Sequence, residues 1–280
     1  FFATFSLAFE TIHPLSAEIP EYDGMTRAEA EVREMEISAD RIPVATDNRG
    51  LFVEGQMTES NFTWRQKLLA EFLGSATLVF VLVSAGLLAD GMLNASPGVT
   101  VLFIGLAAAG WLFVIVQIFG PISGAHVNPA VTVALRITGD IDTSTASRYI
   151  PVQFVGGLAG VVLANLTFVS TVGWNVFVVS AVARPASTWL AEFFGAWLLA
   201  SVVISSIRQE TDWISLAVGF TVGFGVLGTA STAFFNPQVA LARVLTSSPA
   251  GVAPFDAVMF IVAATLGGVD VCATATGRLT

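Results

Sequence analysis

Two asparagine–proline pairs are the polar features with the most chemical potential in a largely apolar sequence. Asn128-Pro129 and Asn236-Pro237 each follow a stretch rich in small residues and precede an apolar run. Asparagine is a preferred helix N-cap and proline suits the first helical turn, so each pair predicts a helix start. An asparagine amide can also donate hydrogen bonds to an oxygen of a neutral molecule.

The segments that contain these pairs, residues 120–139 and 228–248, are apolar but too short and interrupted to cross a membrane. Each helix would extend about 15 Å, half the ~30 Å thickness of the hydrocarbon layer. Two such half-helices entering from opposite faces would meet with their positive N-terminal ends at the membrane centre. A lone asparagine–proline pair usually marks a turn, but two in matching places favour re-entrant half-helices.

Composition places the chain in a membrane and argues against catalysis. Charged residues make up 12% of the sequence and the mean hydropathy is +0.76, whereas a soluble domain carries roughly 25% charged residues. A single cysteine, Cys272, excludes an internal disulfide, and the histidines are only His13 and His126. We therefore expect no metal site, no cofactor and no enzymatic activity. The chain also lacks the basic patch of a nucleic-acid-binding protein, so no nucleic-acid partner is predicted.

Six apolar runs predict six membrane-spanning helices, with the broken segments between them. The runs are residues 68–89, 99–119, 148–170, 187–207, 213–229 and 254–275. An even number of spans puts both termini on one side. The positive-inside rule places that side in the cytoplasm. This orientation puts six basic residues inside (Arg65, Lys67, Arg136, Arg148, Arg208 and Arg278) and two outside (Arg184 and Arg243).

Residues 1–60 form a separate acidic tail. They carry twelve acidic and four basic residues, and so account for −8 of the net charge of −9. This composition predicts a disordered or loosely helical segment. Because the sequence begins with Phe1, the tail is alternatively not native, with Met57 as the expected start.

The membrane part, residues 61–280, contains an internal repeat. Residues 70–74 (AEFLG) open the first predicted span, and residues 191–195 (AEFFG) open the fourth. Three spans per repeat force the second copy, residues 186–280, to run inverted relative to the first, residues 61–175. Inverted repeats that each carry a broken helix mark a permeation site near the membrane midplane.

Residues 123–132 (SGAHVNPAVT) closely resemble the first signature motif of the aquaporin and glycerol-facilitator family, the major intrinsic proteins. The similarity covers about residues 64–268. It implies an all-α membrane protein with six transmembrane helices and two re-entrant half-helices, assembled as a homotetramer with one pore per subunit. By resemblance, the pore centre consists of Asn128, Pro129, Ala130, Asn236, Pro237 and Gln238. The resemblance also makes Glu71, Glu192 and Gln153 scaffold residues that support the extended stretches from behind.

The second motif departs from the family pattern. Gln238 replaces an alanine, and Val239 replaces the arginine that normally narrows the outer side of the pore and repels cations. By resemblance, the other filter positions fall on Ala108, Phe224 and Ala233 when residues are counted back along the sequence without insertions or deletions. Arg243 lies two helical turns beyond Asn236 and is a candidate for the outer vestibule. The alternative for Arg243 is a solvated arginine at a loop end.

The resemblance implies a passive channel for small neutral solutes, namely water, glycerol-like polyols and neutral metalloids such as arsenite. Residues 239, 241–243 and 250–254 are similar to those of bacterial channels linked to arsenite. The expected location is the bacterial plasma membrane, with the lipid bilayer as partner. Alternatives are a water-selective channel, a coupled transporter, and a non-conducting protein of the same fold. Gln238 either obstructs the pore or offers its amide to solutes.

Overall fold

The computed structural model describes residues 62–173 and 177–275, and the described residues contain helices and no strand. The acidic tail, residues 1–60, and the expected start at Met57 lie outside the described residues, so both remain predictions. All-helical architecture agrees with the predicted fold class.

Nine α-helices follow one another along the described chain. They are α1 (Trp64–Gly86), α2 (Pro97–Ser123), α3 (Pro129–Thr138), α4 (Thr143–Thr167), α5 (Val169–Val172), α6 (Ser187–Arg208), α7 (Ile214–Gly228), α8 (Pro237–Ala242) and α9 (Pro254–Ala275), with a π-helical segment, Leu87–Met92, after α1. In the described part, α1 with its π-helical extension, α2, α4, α6 and α9 are long and apolar enough to cross a membrane. The predicted fifth span, α7, is shorter, at 15 residues.

Local sequence explains where these helices begin. Thr63 and Gln66 form the reciprocal hydrogen bonds of a capping box at the start of α1. Asn128 caps α3 and Asn236 caps α8, each with proline as the first helical residue. The two short helices therefore start at the two asparagine–proline pairs.

Helix packing repeats between the two halves of the chain. In the first half α1 packs on α4, in the second α6 packs on α9, and α2 packs on α7 between the halves. A Cβ built on Gly156 of α4 would lie 2.6 Å from the carbonyl oxygen of Phe72. A Cβ on Gly267 of α9 would lie 2.2 Å from that of Phe193. Because Phe72 and Phe193 are matching residues of the two repeats, the contacts show the same close packing of first on third span.

Each short helix packs against the third span of the opposite half, α3 on α9 and α8 on α4. We call the side where α1 begins the inner side and the opposite side the outer side. The chain direction then places the C-terminal end of α3 inside and that of α8 outside. The N-terminal ends of α3 and α8 meet between the two halves, where Asn128 and Asn236 lie.

Candidate functional site

The two stretches that precede the short helices have the same unusual backbone. Ala125 and Val127 have φ values of 45° and 38°, and Ala233 and Phe235 have φ values of 45° and 49°. These positions lie three residues and one residue before each asparagine. A left-handed conformation at a residue other than glycine is strained and persists only where surrounding contacts hold it.

In the first half, the carboxylate of Glu71 holds this backbone. Its Oε1 accepts hydrogen bonds from His126 N at 2.9 Å and Ser123 Oγ at 2.7 Å. Its Oε2 accepts from Val127 N at 2.8 Å and Gln153 Nε2 at 2.8 Å. Glu71 is fully buried, so these four donors replace the water that a carboxylate needs.

Glu192 makes the matching contacts in the second half. Its two oxygens accept from Phe234 N at 2.9 Å and Phe235 N at 2.6 Å. Among the described residues, no glutamine donates to Glu192 as Gln153 does to Glu71. Both carboxylates therefore bind consecutive backbone N–H groups immediately before Asn128 and Asn236.

Asn128 and Asn236 join the two halves at the centre. Asn128 Nδ2 donates to the carbonyl oxygen of Phe235 at 2.9 Å, and Asn236 Nδ2 donates to that of Val127 at 2.9 Å. Each Oδ1 accepts from the backbone of its own helix, at Ala130 N and Gln238 N. Since an amide nitrogen carries two protons, each asparagine keeps one N–H that can donate to a solute.

Gln238 lies outside the lining of the central cavity. Its side chain is fully buried, and its Nε2 donates to the Val127 carbonyl at 3.2 Å, the same oxygen that Asn236 uses. Gln238 is absent from the residues that line the central cavity. In this structure Gln238 neither obstructs the cavity nor offers its amide to it.

A cavity of about 1090 Å³ extends from the start of α1 to the residues around Asn128 and Asn236. At its inner end lie Trp64, Lys67, Asp140 and Asp142, and both asparagines line its middle. One wall is formed by the backbone before Asn128. The opposite wall is apolar and is formed by side chains of the membrane-spanning helices. Those from α6 and α7 are Leu199, Val203, Ile207, Ile214, Val218 and Val222. The cavity thus offers a polar strip beside an apolar surface.

The outer end of this cavity is formed by Ala233, Phe234 and Val239. Two of the predicted filter residues, Ala233 and Val239, therefore lie together there. Ala108 is fully buried one helical turn beyond Leu112, which lines the cavity, but Ala108 itself does not.

Phe224 is wrong as a filter residue. Its side chain is 61% exposed on the outside of α7, where its ring packs on Phe220. The α7 residues that face the cavity are Ile214, Val218 and Val222, spaced four apart along one helix face. A gap-free count from Asn236 missed this face. The four-residue spacing of β-branched residues could have identified it.

Arg243 is also placed differently from both expectations. It is 1% exposed and does not line the cavity, so it is neither a vestibule residue nor a solvated arginine at a loop end. Its Nε donates to the carbonyl oxygen of Ala250. Arg184, which the sequence analysis did not single out, lies near it in the loop before α6. Burial lowers the pKa of Arg184, while Glu192 and Asp256 oppose that change.

Pro129, Ala130 and Pro237 are buried and lie outside the cavity lining. In the described part of the chain, no group of three or more histidine, cysteine or acidic residues is placed to hold a metal ion.

Comparison with known proteins agrees with this geometry. Residues 57–227 match the family described as "MIP: Major intrinsic protein". The chain is 34% identical over 218 residues to aquaglyceroporin AqpS of Rhizobium meliloti, covering 78% of this chain and 91% of that protein. It is 34% identical over 166 residues to aquaporin-4 of Mus musculus, covering 56% of this chain and 50% of the other.

A solved structure has the same fold. The aquaglyceroporin from Plasmodium falciparum superposes with a TM-score of 0.59 at 19% identity, over 75% of this chain and 94% of that one. The apolar helices, the opposed short helices and the sequence match lead to one conclusion. The chain is an integral membrane protein that belongs to the major intrinsic protein family.

Proposed function

We propose that this protein is a passive channel for small neutral solutes: water, glycerol-like polyols and neutral metalloids such as arsenite. The observation that carries the proposal is the pair Asn128 and Asn236, whose amides face one cavity from two opposed helix starts. A neutral solute that loses water on entry gains hydrogen bonds from these amides and from the backbone strip. The positive helix ends at the same point disfavour cations.

The outer end of the cavity supports the wider solute range. Val239 lines it where the family resemblance leads us to expect an arginine, and Ala233 is its neighbour. Small apolar side chains leave a larger and less polar opening than an arginine would. Pore diameter and the lining donors determine which solutes pass. The name of the Rhizobium relative, an aquaglyceroporin, agrees with this range.

Flux measurements in reconstituted vesicles test the proposal. Vesicles with the protein should shrink faster in an osmotic gradient and then re-swell as glycerol or arsenite enters, whereas empty vesicles should not. Phe224→Ala is a matched control, because Phe224 is exposed and lies outside the cavity. Water flux alone would favour a water-selective channel, dependence on an ion gradient a coupled transporter, and no flux a non-conducting protein.

We further propose that the protein forms homotetramers in a bacterial plasma membrane, with both termini in the cytoplasm. The distribution of arginine and lysine supports this orientation. Mass measurement of the detergent-solubilised protein tests the tetramer. Labelling of a cysteine introduced at exposed Asp212, between α6 and α7, tests the orientation. Modification of intact cells by an impermeant reagent at that position would contradict it.

A further inference from the structure

Among the described residues, Arg243 is the largest fully buried side chain. A guanidinium group stays charged in a protein, and a buried charge is costly unless it is paired and hydrogen-bonded. Its Nε donates to the Ala250 carbonyl, but its Nη1 has no hydrogen-bond partner among the described residues. The hydrogen bond to Ala250 therefore accounts for only part of the guanidinium group.

The guanidinium of Arg243 lies against the end of the cavity. Its Cζ is 3.7 Å from the centroid of the Phe234 ring, and Phe234 lines the outer end of the cavity. Arg184 Cζ lies 5.9 Å from the same ring. Phe260 holds that ring in an edge-to-face contact at 4.9 Å. Two positive charges thus lie next to the residue that ends the cavity.

The acidic groups around this pair are bound to the backbone. Glu192 accepts from Phe234 N and Phe235 N, and Asp256 Oδ2 accepts from Arg184 N at 2.8 Å. Among the described residues, Arg184 Nε and Arg243 Nη1 have no hydrogen-bond partner. Because both carboxylates are hydrogen-bonded to backbone N–H groups, they offset the positive potential of Arg243 only in part. In a water-poor interior its field is weakly screened.

On the basis of the channel function proposed above, we propose that Arg243, assisted by Arg184, supplies the positive potential that excludes cations at the outer end of the pore. With Val239 in place of an arginine, the wall at the outer end of the cavity carries no charge. Arg243 supplies the positive charge from behind Phe234, so the opening stays apolar and wide while it still repels cations.

The test measures potassium entry into reconstituted vesicles under an imposed voltage, together with glycerol flux in the same preparation. Arg243→Met removes the charge and keeps an unbranched side chain. It should raise potassium entry by on the order of tenfold or more, because the charge beside Phe234 at the end of the cavity is lost. Arg243→Lys keeps the charge without the planar guanidinium and should stay near the parent. Val239→Arg combined with Arg243→Met should restore exclusion.

Other outcomes overturn the proposal without touching the channel assignment. Parent-level potassium exclusion in a folded Arg243→Met protein would show that Arg243 is only a brace. Free potassium entry through the parent would show that no barrier exists. Should Arg243→Met fail to fold, Arg184→Gln decides the matter. This loop residue is only partly buried, and unchanged exclusion would contradict the proposal. Absence of glycerol flux in the parent would instead count against the channel function.

Discussion

Gly157 of α4 and Gln238 of α8 are a complementary pair. A Cβ built on Gly157 would lie 2.0 Å from Gln238 Oε1, far inside van der Waals contact. In the other half, the matching residues are Gly268 and Ala130, where a Cβ on the glycine would lie 2.8 Å from the alanine carbonyl oxygen. Glycine thus meets backbone in one half and a long side chain in the other. Because Gly157 has no side chain, it leaves the space that the side chain of Gln238 occupies.

Gly157→Ala should therefore destabilise the protein, and Gln238→Ala should reverse that loss. Overpacking of a tight interior costs about 1–3 kcal/mol. In the double variant, the Gln238→Ala change removes the glutamine side chain and so creates room for the methyl group of Ala at position 157. Thermal unfolding in detergent, measured for both single variants and the double variant, gives the interaction free energy between the two sites.

Gly110→Ala is the matched control, because Gly110 lies inside α2 with no atom within 4 Å of its would-be Cβ. In a helix interior this change should be neutral or slightly stabilising. Equal losses for Gly157→Ala in the presence and absence of Gln238 would contradict the pairing.

The sequence predicted the helix starts better than the helix faces. Asn128 and Asn236 cap their helices through backbone N–H groups two or three residues away, so local spacing was enough to place them. The prediction for Phe224 was wrong because the direction of its side chain depends on the rotation of α7 about its axis against α2. No local motif determines that rotation. The position of Arg243 depends on a contact with Ala250 across a loop, and burial of a charge is not visible in composition.

The face of α7 that lines the pore can be tested with neighbouring residues. Val222→Phe should strongly reduce water and glycerol flux, because Val222 lines the cavity and the larger ring would extend into it. Phe224→Ala should leave both fluxes near the parent value, since this side chain is 61% exposed away from the cavity. Stopped-flow light scattering of vesicles with equal protein content measures both. A reversed pattern would restore Phe224 as the filter residue.

The stability of the protein should depend on a carboxylate group at both Glu71 and Glu192. In a Glu71→Gln or Glu192→Gln protein, one oxygen becomes an amide nitrogen that faces a backbone N–H, at residues 126–127 or 234–235. A buried donor left without an acceptor costs about 1–3 kcal/mol. Melting temperatures in detergent measure the loss. The exposed Glu210→Gln change is the control. Full stability in both buried variants would show that the strained backbone holds itself.

Val239→Arg should convert the outer end of the cavity from wide and apolar to narrow and charged. Val239 is 2% exposed and lines the cavity beside Ala233, so a longer side chain there has the cavity as its available space. We expect glycerol and arsenite fluxes to fall on the order of tenfold, because pore diameter and lining donors control passage, while water still fits.

Val239→Leu separates size from charge in the same experiment. Leucine adds one methylene without hydrogen-bond donors, so it should reduce glycerol flux less than arginine does. Parallel measurement of water, glycerol, urea and arsenite entry in the parent and both variants gives the comparison. Unchanged glycerol and arsenite entry in Val239→Arg would place the size-limiting constriction away from Val239, at another level of the pore.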